Sequence, residues 1–158
     1  MGEGKGEGEE ARVSPKTCVF AVLRHERPGS EAHYDLLIQH AELGGPASEV
    51  SCFTWSFAVP PGRDAVRCRR IFDHPGRFLT YEGPLREAGG RVSRHDGGTC
   101  SVEGDPGRGL LLTFHGRRLS GSFRLTPVAE RPGTGTAQGR ADEGEYLWQP
   151  AEEAARTT

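Results

Sequence analysis

Long apolar runs and closely spaced cysteines are both missing from this chain of 158 residues. No apolar stretch approaches the roughly 20 residues that a membrane-spanning helix needs, and no N-terminal segment has the form of a secretory signal. The cysteines form no Cys-x-x-Cys pair, which argues against a zinc site made from them; they are Cys18, Cys52, Cys68 and Cys100. These absences predict a cytoplasmic protein with reduced thiols and no membrane partner.

Two common catalytic signatures are also missing. The sequence contains no Gly-x-x-x-x-Gly-Lys-[Ser/Thr] loop, so its Gly-rich N-terminus does not have the form of a phosphate-binding loop. It also contains no Gly-x-Ser-x-Gly, the turn that presents a nucleophilic serine in many hydrolases. The two absences argue against a nucleotide-binding loop and against a serine nucleophile of this kind.

Charge is low overall but unevenly placed. The net charge of −2 argues against non-specific electrostatic binding of nucleic acid by the whole protein surface. Between positions 63 and 94, however, eight arginines stand against four acidic residues. Such a basic middle fits a phosphate-bearing partner, and it equally fits arginines scattered over a solvated surface.

Glycine and proline are abundant, at 23 and 11 residues, and favour turns over long helices. Short β-branched and aromatic runs lie between the turns, and no segment keeps a 3.6-residue apolar period over the length of a helix. The pattern predicts an all-β, mainly antiparallel fold with little helix, either a sandwich or a small closed or nearly closed β-barrel. The predicted strands are 17–24, 33–39, 52–59, 68–72, 77–83, 90–95, 99–104, 109–116, 119–128 and 145–150.

Composition divides the chain into one domain and two tails. Residues 1–16 form an acidic Gly/Glu tail that is too polar to fold alone, and 150–158 form a second predicted disordered tail. The barrel domain is predicted over 17–149. Within it, the stretch of about 130–144 has no apolar anchor and is predicted to be a mobile loop.

The stretch "RHERPGSEAHYDLLIQ" brings two histidines and an aspartate close to apolar strands. Side chains alternate along a strand, so Leu36 and Ile38 would face the core while His33 and Asp35 project together from the opposite face, about 7 Å apart. A turn centred on Pro-Gly could return His25 beside them. Two imidazoles and a carboxylate suit manganese, zinc or iron. The plainer alternative is a strand-end histidine next to a solvent-facing His–Asp pair.

The ordered motifs of the chain resemble one known family. "FAVLRHERPGSEAHYDLLIQ", "FTWSFAVPPG", "IFDHPGRFLTYEGPL", "GGRVSRHDGGT", "LLLTFHGRRLSGSFRLTPV" and "YLWQ" follow one another as do the corresponding elements of the 3′-phosphoesterase domain of bacterial DNA ligase D. The resemblance covers about 17–149. It implies a stand-alone, divergent member of that family.

The resemblance also implies an activity and a site. His25, His33 and Asp35 correspond to the family's metal ligands, with Mn²⁺ the expected divalent ion, and His74 corresponds to the histidine that holds the scissile phosphate. All four are therefore the expected catalytic residues. The implied reaction removes a 3′-phosphate or a 3′-ribonucleotide from DNA or RNA-tailed DNA ends in repair and end joining. The implied protein partners are a separate ligase or polymerase, or other repair proteins.

Two positions depart from the family pattern. Leu37 stands where the family has an arginine, and Phe78 stands where it has a tyrosine, so two donors to phosphate are absent. Nearby residues could replace them, since a guanidinium grips phosphate through two hydrogen bonds. The candidates that flank the mapped positions are Arg24, Arg67, Arg70, Arg77 and Tyr81, of which Arg24, Arg70 and Arg77 join His74 as the predicted phosphate contacts.

The sequence leaves three functions open. The first is the metal-dependent 3′-end phosphoesterase, and the second is a catalytically decayed module of the same fold that binds DNA ends or a partner protein. The third is a phosphoesterase for a smaller substrate such as a nucleotide. For the phosphate site, Pro75 is expected to end a strand and expose His74 at the rim of the barrel, while Ile71 and Phe72 stay inside.

Overall fold

A computed structural model describes most of the chain, namely residues 16–39, 51–86, 89–128 and 144–151. The predicted N-terminal tail, the predicted mobile loop and the predicted C-terminal tail fall almost entirely outside these residues. All structural statements below concern the described ranges.

Antiparallel β-strands dominate the described residues and confirm the predicted fold class. The strands are β1 (Lys16–Glu26), β2 (His33–Gln39), β3 (Ser51–Phe57), β4 (Val66–Pro75), β5 (Gly83–Pro84), β6 (Arg91–Asp105), β7 (Gly109–Gly116), β8 (Ser120–Pro127) and β9 (Gly144–Pro150). A 3₁₀ helix, Gly76–Leu79, follows β4. Within the described ranges, no helix is long and apolar enough to cross a membrane.

Eight of the strands close into a barrel in the order β1-β2-β3-β4-β9-β8-β7-β6, and β6 pairs back onto β1. Closure depends on the length of β6, since its first part pairs with β1 and its last part with β7. The short β5 adds only to the start of β6. A closed barrel leaves few unpaired edges and fixes the strand registers that position side chains on both faces.

The barrel interior holds the main hydrophobic core, as alternation along the strands predicts. Trp148 on β9 is fully buried and lies against the rings of Phe57, Phe114 and Phe123 at centroid distances of 5.4, 5.8 and 4.6 Å. Its indole N–H donates a hydrogen bond to the Gly62 carbonyl at 2.8 Å. Leu36 and Ile38 point into this core, as predicted from the alternation in β2.

A second apolar cluster lies on the opposite face of the β1–β2–β3 sheet. It consists of Ala21, Leu23, Leu37, Cys52, Leu79 and Val92, with Phe78, Tyr81 and Leu85 packed against it. The segment from the 3₁₀ helix to the start of β6 covers this face. His33 and Asp35 therefore project onto a covered face, at the end of a second core, and not onto an open surface.

Three local predictions were wrong. The predicted strand 77–83 is a 3₁₀ helix and turn, because Pro75 ends the β4 ladder. The predicted strands 90–95 and 99–104 are one strand, since Gly98 between them is paired on both sides, to Phe20 and Gly116. Phe72, expected inside, is 60% exposed.

Candidate metal centre

The β1–β2 hairpin places two histidines side by side. His25 near the end of β1 and His33 at the start of β2 are direct cross-strand partners. The connecting turn has Pro28 and Gly29 at its centre, and the Ser30 N–H donates to the carbonyl of Arg27 at 3.1 Å. Gly29 has a φ of 80°, the conformation that the second central position of a type II turn needs. The predicted return of His25 toward His33 is therefore observed.

Asp35 completes a compact cluster on the same face. Its Oδ1 lies 3.4 Å from Nε2 of His33, and that nitrogen lies 3.3 Å from Nδ1 of His25. One ligand atom from each of the three side chains lies within 4.8 Å of the others. His25 and Asp35 are 7% and 5% exposed, so the cluster is almost closed to solvent on the sheet side.

The hydrogen bond at the far side of His25 fixes which nitrogen faces the cluster. Nε2 of His25 lies 3.0 Å from the Gly89 carbonyl, which can only accept, so Nε2 carries the proton. In a neutral imidazole this leaves a lone pair on Nδ1, the atom that faces His33. Histidines that bind a metal through one ring nitrogen commonly donate a hydrogen bond from the other to a backbone carbonyl.

The residues present fit a divalent metal ion by two observations. Oδ1 of Asp35 is buried and accepts no hydrogen bond among the described residues, a costly arrangement for a carboxylate unless a cation lies beside it. Ligand atoms that bind one ion at about 2.0–2.2 Å lie about 3–3.5 Å apart, and the two short separations in the cluster fall in this range. A His₂-carboxylate donor set suits manganese, iron or zinc and leaves coordination positions open.

The cluster forms part of the wall of a cavity of about 680 Å³. The rest of the described lining comes from β4, the 3₁₀ helix and the segment before β6. Within the described lining, Asp35 is the one acidic side chain, whereas three arginines and three histidines also line the cavity. This excess of cationic and imidazole groups favours an anionic ligand next to the cluster.

His74 lines the same cavity as the cluster, although forty-one positions separate it from His33 in the sequence. A register shift in the β3–β4 pairing explains its direction: Thr54 is opposite Ile71, whereas Cys52 is opposite His74. Three residue steps along β4 thus correspond to two along β3, so β4 contains one extra residue, which is a β-bulge. The extra residue turns His74 onto the same face as Ile71, which strict alternation would not do.

The His74 ring is held by local contacts. Its Nδ1 lies 3.0 Å from the Phe72 carbonyl, so Nδ1 donates and Nε2 is left for another partner. The ring stacks on Phe72 at a centroid distance of 4.8 Å and an interplanar angle of 25°. Cys52 is the cross-strand partner of His74. Burial and, to a smaller extent, the Asp73 carboxylate raise the pKa of its thiol to about 12. The free Cys52 thiol is therefore protonated at neutral pH and a poor nucleophile.

The four predicted phosphate contacts are divided between two faces of the barrel. Arg77 lines the cavity with His74, and its guanidinium lies 4.8 Å from the Phe78 ring. Arg24 and Arg70 are not among its described lining residues. Nε of Arg24 donates to the Tyr34 hydroxyl at 3.3 Å.

Arg70 lies on the inner face of β4. It is the cross-strand partner of Trp55, and its guanidinium lies 5.0 Å from the Phe53 ring. The alternation along β4 gives the reason, because Cys68 and residue 70 share the face that points into the barrel. The structure thus does not bring Arg70 to the cluster.

Two arginines that the sequence analysis passed over also line the cavity. Arg27 lies two positions after His25 and Arg86 lies in the turn before β6. The spacing of Arg27 from His25 was a usable signal, since residues two apart in an extended chain share a face. Arg86 had no such signal, because its position depends on how the covering segment folds over the sheet.

Leu37 and Phe78, the two positions that differ from the ligase D phosphoesterase pattern that the sequence resembles, both lie in apolar surroundings. Leu37 is fully buried in the second apolar cluster. Phe78 packs against the same cluster, and its ring centroid lies 6.0 Å from that of His74. Neither side chain can donate to a phosphate.

No protein-family model and no curated protein matches the chain.

Proposed function

We propose that the protein is a divalent-metal-dependent phosphoesterase that trims DNA 3′ ends, removing a 3′-phosphate or a 3′-ribonucleotide. The observation that carries the proposal is the convergence of His25, His33 and Asp35 beside an arginine-lined cavity. The family resemblance supplies the reaction class. Mn²⁺ is the ion that we assign to the cluster.

The ligand set has distinct tasks in this proposal. The Gly89 carbonyl holds the tautomer of His25 in which Nδ1 faces the cluster, and Asp35 supplies the negative charge. A divalent ion held by these residues would polarise a phosphoryl oxygen and lower the pKa of bound water. Because the sheet and the second apolar cluster exclude water from one side, charges in this site interact more strongly than in solvent.

The substrate phosphate is assigned to the cavity side of the cluster. His74 bonds the Phe72 carbonyl through Nδ1, so Nε2 is the ring nitrogen left for a phosphate oxygen, to which it can donate when the ring is an imidazolium. Arg27, Arg77 and Arg86 line the same space and can add charge-assisted hydrogen bonds. Arg24 and Arg70 have no part in this proposed arrangement, because neither is among the described lining residues of the cavity.

A primer–template with a 3′-phosphate or a single 3′-ribonucleotide tests the proposal. We expect removal of the 3′ group to require Mn²⁺. The rate should fall by about 100-fold or more in His33→Ala, which loses a metal ligand, and in His74→Ala, which loses a phosphate donor. His115→Ala is the matched control, since that exposed histidine on β7 lies away from the cavity lining. Metal-independent activity, or equal activity in all variants, would contradict the assignment.

A second candidate is a decayed module that keeps the fold and the ligand cluster but only binds DNA ends or a partner protein. The observation that favours it is the apolar surroundings of Leu37 and Phe78, where the family has two phosphate donors. The same assay separates the two candidates. A protein that binds Mn²⁺ and the 3′-phosphorylated end, yet releases no phosphate over hours, is the binding module.

The reaction also places the protein in a sequence of steps. Its product, a 3′-hydroxyl, is the group that a ligase or polymerase consumes, so we propose that such a protein acts next. The proposed setting is cytoplasmic DNA repair.

A further inference from the structure

One aromatic ring at the cavity is not used by the proposed metal and phosphate chemistry. Phe72 is 60% exposed, the highest value among the three exposed large hydrophobic residues that the structure describes. It is also the one of those three that lines the cavity, since Val19 and Val59 do not. This exposed phenyl ring thus lies outside both cores and beside a site lined by cationic side chains.

Phe72 is the outer member of a row of aromatic side chains along one wall. His74 stacks on its inner face, Phe78 follows edge-on at 6.0 Å, and Tyr81 lies 5.7 Å beyond Phe78. The Tyr81 hydroxyl donates to the Pro84 carbonyl, which anchors the inner end of the row. The stacked His74 ring covers part of Phe72, and the side chain is still 60% exposed.

We propose that Phe72 stacks on the nucleobase of the terminal nucleotide whose 3′ end is processed. The inference rests on the proposed function and specifies its substrate as an end with an unpaired terminal base. A paired base inside a duplex has both faces stacked, whereas a frayed or single-stranded base presents a face to an aromatic ring. Because the phenyl ring has no hydrogen-bonding group, it accepts any base.

The neighbouring charges support a nucleotide over an apolar partner at this ring. His74 and Arg77 line the cavity together with Phe72, and the ligand cluster lines the same cavity. A protein side chain bound there would be surrounded by groups suited to phosphate. A nucleotide brings both the base for the ring and the anion for the charges.

Equilibrium binding tests the inference without depending on turnover. The probes are three fluorescent primer–templates with a 3′-phosphate, which end in a mismatched nucleotide, a paired nucleotide or an abasic sugar, and they are measured by anisotropy without divalent metal. Wild-type protein should bind the mismatched end most tightly. Phe72→Ala should bind it about tenfold more weakly, and Phe72→Trp should retain the affinity.

The abasic end is the internal control. On that probe Phe72→Ala should bind with the affinity of the wild type, because the abasic sugar carries no base on which Phe72 could stack. An equal drop on mismatched and abasic ends, no drop on either, or no binding by the wild type would overturn the inference. Binding of Mn²⁺ by calorimetry should be unchanged in Phe72→Ala, which shows that the cluster is intact.

The two proposals can fail separately. Base-dependent binding without release of phosphate in Mn²⁺ would end the phosphoesterase proposal and keep the stacking role. Release of phosphate that is equally efficient on mismatched, paired and abasic ends would do the reverse.

Discussion

At the scale of single residues, the environment of each side chain in the cluster limits what it can do. His25 has its outward nitrogen occupied by the Gly89 carbonyl, so it offers only Nδ1 to the cluster. Oδ1 of Asp35 is buried without a hydrogen bond among the described residues. A buried carboxylate oxygen next to two imidazole nitrogens is poorly satisfied alone and well satisfied by a cation.

The metal assignment gives the first prediction. His33→Ala should lose tight Mn²⁺ binding, with affinity down by about 100-fold or more, because two remaining side-chain ligands seldom retain manganese. Isothermal titration calorimetry measures it, with His115→Ala as the control. Unchanged affinity in His33→Ala would place the metal elsewhere.

A different residue predicts how stability changes with acid. The Asp96 carboxylate accepts hydrogen bonds from the backbone N–H groups of Arg117, Arg118 and Leu119 at 2.9, 3.0 and 2.7 Å. Burial alone raises the pKa of Asp96, but these bonds and one from Gly97 outweigh it, and the pKa is lowered. Its contribution to stability is therefore full above the unfolded pKa of about 3.9 and lost as the pH falls through the lower folded value.

Asp96→Asn should consequently reduce the free energy of unfolding by about 1–3 kcal/mol at pH 7. The deficit should shrink as the pH falls below about 3.9 and through the lower folded pKa, because the wild-type carboxyl then becomes protonated as well. Urea titrations at pH 7 and at a pH below the folded pKa of Asp96 measure this deficit, with the exposed Asp64→Asn as control. A deficit that is the same at both pH values would show that the charge of Asp96 is not the source of stability.

At the scale of elements, the covering segment decides whether the cluster becomes a site. The turn before β6 is closed by hydrogen bonds between Leu85 and Gly89 or Gly90, and it presents the carbonyl that bonds His25. Gly90 has a φ of 79°, and a Cβ there would lie 2.0 Å from the Glu26 carbonyl oxygen. The turn therefore packs directly on the end of β1.

Gly90→Ala should lower the free energy of unfolding by about 2 kcal/mol or more, since the left-handed conformation alone costs an alanine about 1–2 kcal/mol. It should also weaken Mn²⁺ binding, because the Gly89 carbonyl would move away from His25. Thermal unfolding and calorimetry measure the two effects. The control is Gly144→Ala, where an added Cβ meets nothing within 4 Å; equal behaviour of the two variants would contradict this role of the turn.

Elements also show what the sequence could and could not predict. The β1–β2 hairpin was predictable, since Pro-Gly marks its turn and alternation places His33 and Asp35 on one face. The bulge in β4 was not, because it inserts one residue in a run with no glycine and reverses the faces after Ile71. This shift explains why Phe72 is exposed and why alternation alone misplaces the side chains near His74.

At the scale of the whole molecule, one sheet serves two cores. The interior of the closed barrel holds the larger, and the outer face of β1–β2–β3 holds the smaller under the covering segment. Composition predicted the barrel but not the second core, because a strand with apolar residues on both faces has no clear alternation. Leu37 belongs to this second core and contributes to packing instead of phosphate binding.

Trp148 at the centre of the larger core gives a prediction for the stability of the whole barrel. Trp148→Ala should lower the free energy of unfolding by roughly 3–5 kcal/mol, because it removes a fully buried indole and the N–H donor to Gly62. Trp148→Phe should lose less, since a ring remains in contact with Phe123. Urea titration followed by circular dichroism measures both; a loss under about 1 kcal/mol in Trp148→Ala would contradict the described core.

Anomalous diffraction from crystals soaked in MnCl₂ tests the central claim, that the hairpin and its covering turn form one metal centre, most directly. We expect a single strong peak at the manganese edge within bonding distance of Nδ1 of His25, Nε2 of His33 and Oδ1 of Asp35. The Nε2 atom of His25 should remain bonded to the Gly89 carbonyl. A peak elsewhere, or no peak at these three atoms at a manganese concentration that supports full activity, would contradict it.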